Sequence, residues 1–297
     1  MTARGRRWLA PATCLLLTLF SCAKAQGFCR ANSCDPSRGE SCTVDANGCH
    51  LGARTLYWGG GPIPFLVQAD GSPKNKIDAT TFEKVIQNAF HTWSDVYCAP
   101  GKHPSFAGVS TGQTPSSVVE YIAGQANANI FMFRDDTWMA TAPGSALALT
   151  TVSYDWHTGQ IYDADVEVNG TGGNITNGLP MDGADLPSIM THELGHFLGL
   201  DHSPKKTATM FVTYQAKKGN LRVLDSDDIA GVCAIYPPKA AATIQPPHYV
   251  VGAPLAGCSA APRIAPANAR SAWLLLALGC AVALGIRRAA HGERRET

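Results

Sequence analysis

The chain is 297 residues long, with a formal net charge of +1 and 16% charged residues. That balance excludes both a polyelectrolyte contact with nucleic acid and a highly charged disordered chain, and the length suits one medium-sized domain with appendages. Ten cysteines are many for a reducing cytosol and point to an oxidising compartment.

Residues 1–25 read as a signal peptide. Arg4, Arg6 and Arg7 precede a mostly apolar run from Trp8 to Phe20, centred on Leu15, Leu16 and Leu17, which is too short to span a bilayer. Ala23-Lys24-Ala25 offers a small-x-small cleavage site, and Leu19-Phe20-Ser21-Cys22 a lipoprotein-type alternative; the bulk of Phe20 favours cleavage after Ala25. Residues 26–53 form a cysteine-rich cap. Cys29, Cys34, Cys42 and Cys49 can pair in three ways, among which the sequence does not choose. The plain reading is two disulfides stapling a segment too small for its own core; the alternative is a latency device in which one thiolate occupies a metal position.

Residues 54–237 read as a single domain of mixed helix and strand. Ile63 to Val67 is a strand, and Pro64 suggests an edge or a strand start. Phe82, Val85, Ile86, Ala89, Trp93 and Val96 recur at helical spacing, with Thr80 and Glu83 as a capping box. Further strands are expected at Ser117 to Ile122, Asn129 to Phe133, Leu147 to Tyr154 and Ile161 to Val168, the last two as a hairpin around Trp156 to Gly159. In the final strand Asp163, Asp165 and Glu167 alternate with Ala164, Val166 and Val168, which places three carboxylates on one face, a pattern that is most often simply solvated. Asp185 with Pro187 marks the start of the next helix.

That helix carries the most informative stretch, His192-Glu193-Leu194-Gly195-His196-Phe197-Leu198-Gly199-Leu200-Asp201-His202. Histidines four positions apart differ by about 40° in direction, so His192 and His196 project side by side and can share a metal. Glu193 stands where a general base for water at that metal is needed. A continued helix would carry His202 about 9 Å beyond His196 along the axis. Glycine at 199 ends the helix through left-handed backbone, and the chain doubles back so that His202 adds a third nitrogen. Three neutral imidazoles leave zinc one open position, which is the arrangement of a catalytic site. Farther on, Leu224 to Pro237 reads as a helix with acidic residues at its start.

The histidine stretch resembles the zinc signature of the metzincin metallopeptidases, most closely the matrixin branch. The resemblance implies a zincin-like α+β catalytic domain: a twisted mixed sheet of about five strands, a long backing helix, an active-site helix and a C-terminal helix. It implies one catalytic Zn2+ held by His192, His196 and His202, with Glu193 as the catalytic base and proteins or peptides as substrates. Met210 falls at the methionine turn beneath the metal. Phe211 and Tyr214 become the wall of the pocket beside the scissile bond, with Val212 where matrixins usually have proline. The segment from Gly144 to Thr151 becomes the edge strand with which an extended substrate pairs. Matrixins often bind calcium, which makes Asp163 and Asp165 candidate Ca2+ ligands. Cys98 and Cys233 are the only cysteines of this domain; export favours pairing them, and the astacins, a related branch, join the same two elements. The motif that presents a blocking cysteine in matrixin pro-segments is absent from the cap. A catalytically silent cell-surface binding module that keeps the zinc site is the alternative reading.

Residues 238–270 are rich in Ala and Pro and read as a linker. Residues 271–297 contain an apolar run, Ala272 to Ile286, followed by Arg287 and Arg288, which is shorter than the ~20 residues of a stable span. With Gly257-Cys258-Ser259 ahead of it, this end resembles the C-terminal sorting segment of myxobacterial-type exported proteins. The resemblance implies attachment to the membrane or cell surface, with Cys258 as the candidate attachment point. A secreted or surface-held monomer is expected, with no nucleic-acid partner.

Overall fold

The computed structural model describes residues 27–34, 39–125, 127–138, 146–178, 183–214, 220–238 and 250–255. The expected signal peptide, Cys22, Cys258 and the C-terminal apolar run lie outside the described residues. No described helix is long and apolar enough to cross a membrane.

In chain order the elements are β1 (Cys29–Arg30), β2 (Tyr57–Trp58), β3 (Gly61–Gln68), α1 (Ala79–Ser94), β4 (Phe106–Thr114), β5 (Ile130–Arg134), β6 (Ala148–Asp155), β7 (Gln160–Asn169), β8 (Ile175–Thr176), β9 (Ala184–Asp185), α2 (Leu186–Phe197), β10 (Leu200–Asp201), α3 (Ser226–Ile235) and β11 (Val250–Leu255). The main sheet runs β11-β6-β7-β5-β3-β4, with β2 added beside β7. Strands β4, β3, β5 and β7 are parallel, whereas β6 is antiparallel to β7. This is the expected α+β fold, a mixed sheet with three helices.

The apolar stripe of α1 is buried at Phe82, Val85, Ile86, Ala89 and Trp93, and the helix packs on β3, β4 and α2. Its cap differs from the expected one. Asp78 rather than Thr80 takes the Thr81 N–H at 2.7 Å, because an aspartate just ahead of the first turn is a charged acceptor at the positive helix end. Glu83 instead accepts from the Ser110 hydroxyl of β4. The Trp93 indole N–H donates to the Thr191 carbonyl at 2.8 Å and so fastens α1 to the helix that bears the histidines.

Three expectations are corrected in the sheet. The segment expected as a strand at Ser117 to Ile122 is coil, and the sheet edge is β4, which precedes it. Burial in β4 alternates without a strongly apolar face, so its sequence carries little strand signal. Pro64 lies in β3, which has neighbours on both sides. However, β5 pairs only with Leu66 and Val67, so the proline falls where β3 is hydrogen-bonded to β4 alone. The Ala- and Pro-rich stretch expected as a linker contains β11, antiparallel to β6.

The carboxylate face of β7 is not solvated. Asp163, Asp165 and Glu167 are each at most 2% exposed. The Ser117–Ile122 coil covers them: Arg134 donates to the Ser117 carbonyl at 2.8 Å and ion-pairs with Glu167 at 2.6 Å. Asp165 accepts the Ile130 N–H at 2.8 Å, yet burial pushes its carboxyl up, and Asp163 beside it is raised for the same reason.

Cys29 pairs with Cys49, Cys34 with Cys42, and Cys98 with Cys233. The third bridge joins the segment after α1 to α3, the expected partners. All four cap cysteines are disulfide-bonded, which leaves no cap thiolate to occupy a metal position.

Two outcomes are expected. Replacing Cys98 and Cys233 by Ser should lower unfolding stability in urea by about 2–4 kcal/mol. The raised carboxyls of Asp163 and Asp165 keep protons in the folded state that the unfolded chain has already released. Stability should therefore fall as pH rises from the ordinary aspartate value of 3.8 through neutrality. The Asp165→Asn variant should flatten that fall in urea unfolding measured from pH 4 to pH 8.

Candidate active site

Helix α2 is built to stop where the sequence demands. Asp185 accepts the Ser188 N–H at 3.0 Å, with proline in the first turn. At the other end, the helix closes on Leu198, and Gly199 takes φ +95°. A side chain at 199 would meet the Leu56 carbonyl at 2.6 Å, so both the backbone conformation and the space require glycine. The last carbonyls of a helix lack intrahelical donors. Here the Trp58 indole donates to the Phe197 carbonyl at 2.7 Å, and the Tyr236 hydroxyl to the Leu198 carbonyl at 2.8 Å. Neither residue stood out in the sequence, because an indole or phenol far away in the chain carries no local signal for a helix end.

The cap holds the turn from outside. β1 pairs with β10, and the Ala31 N–H donates to the Gly199 carbonyl at 2.9 Å. His50 of the cap bonds Asp201 at 2.7 Å, and the other Asp201 oxygen accepts the His202 N–H at 2.7 Å. The backbone leading to the third histidine is thus fixed on both sides.

His192, His196 and His202 converge, each offering one ligand atom, and these atoms lie within 4.8 Å of one another. Among the described residues, no other group of three or more His, Cys, Asp or Glu comes together in this way. Asp163 and Asp165, the expected calcium candidates, are neighbours on β7 without a third ligand of that kind. The Nε2 atoms of all three histidines are buried and have no hydrogen-bond partner. Meanwhile His192 Nδ1 is 2.7 Å from the Thr209 carbonyl and His196 Nδ1 is 2.9 Å from the Leu200 carbonyl. A carbonyl can only accept, so in these two rings the proton sits on Nδ1 and Nε2 keeps a free lone pair. Burial holds all three imidazoles below their ordinary pKa and hence neutral, the form that binds metal. Three buried acceptors facing one point fit a zinc ion.

Glu193 is 1% exposed. Thr150 of β6 donates to its Oε2 at 2.7 Å, while burial pushes the carboxyl up to about 7. Met210 packs beneath the helix: a Cβ on Gly195 would fall 2.1 Å from its sulfur. The turn around it is held by Asp228, whose carboxylate accepts the Thr209 N–H at 2.7 Å and the Met210 N–H at 3.1 Å. Asp228 thus supports the carbonyl that orients His192. A pocket beside the histidines is lined by Leu147, Ile189, His192, Glu193, Phe211 and Tyr214. The Tyr214 hydroxyl accepts the Asp185 N–H at 2.8 Å, which fixes the pocket wall to the start of α2. Of the residues expected here, the histidines, Glu193, Phe211 and Tyr214 come together, Met210 lies below them, and Asp163 and Asp165 belong to a separate buried face. Thr150 and Asp228 were missed.

Residues 66–237 match the matrixin family. The chain belongs to that family. Macrophage metalloelastase of Oryctolagus cuniculus is 30% identical over 155 residues, covering 52% of the chain and 28% of that protein. Metalloendoproteinase 1-MMP of Arabidopsis thaliana is 46% identical over 57 residues, 18% of the chain and 15% of that protein. Matrix metalloproteinase-16 of Homo sapiens is 46% identical over 57 residues, 19% of the chain and 9% of that protein. The chain therefore spans less than a third of the length of these matrixin relatives.

Asp228→Ala should leave the Thr209 and Met210 N–H groups buried without acceptors, costing about 2–4 kcal/mol in urea unfolding. By releasing the carbonyl behind His192, it should also weaken zinc retention by about tenfold or more in chelator competition, with Asp228→Asn affected less.

Proposed function

We propose that this chain is an exported, zinc-dependent endopeptidase that hydrolyses peptide bonds in proteins, with Glu193 as general base. The observation that carries the reading is the set of three buried, unpartnered Nε2 atoms beside a buried carboxylate, at the mouth of an apolar pocket. Bound to His192, His196 and His202, zinc would supply Lewis acidity toward a peptide carbonyl and toward water.

The chain's own residues do the rest. Glu193 removes the proton from the attacking water and returns it to the leaving amine, and Thr150 holds the carboxylate in place for both transfers. The pocket formed with Phe211 and Tyr214 takes an apolar side chain next to the scissile bond and so sets which bond lies beside the base. Val212 is 45% exposed and stands apart from the pocket lining, which leaves pocket shape to its neighbours. Export is supported by three disulfides, which persist outside reducing compartments, and by the signal-like N-terminus. The apolar run near the C-terminus is the candidate surface attachment.

In the zinc-loaded chain, Glu193→Gln should lower kcat/KM toward an unstructured protein such as casein by about 10²–10⁴-fold while zinc content is unchanged. Equal zinc with no cleavage by either form would favour the silent binding module instead.

A further inference from the structure

The chain carries a strand of its own along the cleft. β6 borders the site: its Thr150 hydroxyl bonds the Glu193 carboxylate, and Leu147, just ahead of it, lines the pocket with His192 and Glu193. One edge of β6 is taken by β7. An extended peptide entering beside β6 therefore has only the other edge on which to form main-chain hydrogen bonds, the usual way a strand edge captures a peptide. That other edge is occupied by β11, which lies antiparallel in a register running from Val250 opposite Asp155 to Leu255 opposite Thr150. β11 thus advances toward the residue that positions the base, and its last residue stands opposite it.

The sequence of β11 fits reversible pairing. Pro254 has no N–H, and within a strand proline belongs where that group would point away from the neighbour. In an antiparallel pair, residues alternate in the direction of their hydrogen-bonding groups, so the bonds to β6 fall to Val251, Ala253 and Leu255. Residues 236–249 lead from α3 to β11, and a tethered segment competes at an effective concentration on the order of millimolar. We propose that Val250–Leu255 is a built-in competitor that fills the substrate's strand position and has to leave before a peptide can bind.

This inference rests on the peptidase reading for its kinetic arm only. The full, zinc-loaded chain would be compared with its Val251→Pro/Ala253→Pro form, in which two of the β6-directed N–H groups are removed. In the variant, amide hydrogen exchange at Val152 and Tyr154 should rise at least tenfold. kcat/KM for an extended peptide should also rise at least tenfold, chiefly through KM, and a synthetic peptide of residues 248–257 should restore protection and inhibit competitively. Equal exchange at Val152 and Tyr154 in the two chains, with equal KM, would overturn the proposal. Should neither chain cleave, the peptidase reading fails. The competitor is then judged by exchange and by binding of a fluorescent extended peptide, which should bind the variant at least tenfold more tightly and would refute it by binding both equally.

Discussion

Three imidazole nitrogens that face one point, each stripped of water and without a protein partner, are the constraint around which this molecule is arranged. A buried acceptor with nothing to bond costs roughly 1–3 kcal/mol, so bringing three of them to one point is work that the surrounding structure has to do. His192 and His196 are placed by helix geometry alone. His202 is placed by a helix end, a glycine and a two-residue strand, each held by residues from elsewhere in the chain: Trp58, Tyr236, Ala31 and His50.

The same logic organises the layers beneath. Asp228 satisfies the turn that carries Met210, that turn presents the Thr209 carbonyl to His192, and Asp228 also closes the capping box of its own helix with Asp225. Trp93 ties the backing helix to the active-site helix through one indole hydrogen bond. Glu193 is buried on a helix whose neighbour in the sheet offers it a hydroxyl. A substitution in α3 or α1 thus acts on the metal site through two or three bonds, although neither helix touches the ligands with a charged side chain.

Much of this was legible in the sequence because it is local. Helical spacing gave α1 and α2, the His192-to-His202 pattern gave the three histidines that converge, and Gly199 gave the turn. What was not legible depends on contacts between distant residues. The N-cap of α1 went to Asp78 because position and charge outweigh the Thr80 and Glu83 pairing. β4 escaped notice because beyond Phe106 its inward positions are Gly108, Ser110, Gly112 and Thr114, which make no apolar face, and Ser117 to Ile122, which looks more like a strand, serves instead as cover for buried carboxylates. Thr150 and Asp228 are ordinary polar residues until the fold brings them to Glu193 and Met210. β11 has the composition of a linker, and its pairing with β6 rests on backbone groups that composition does not report.

The pairing of β1 with β10 and the bond from His50 to Asp201 also set an order of events. Cap residues are made and threaded early, but their partners lie some way beyond the middle of the chain, and Asp228 comes later still. The last ligand cannot be clamped until nearly the whole domain has emerged. Convergence of the three histidines is therefore a late event, held back until residues from both the cap and the far part of the domain are in place.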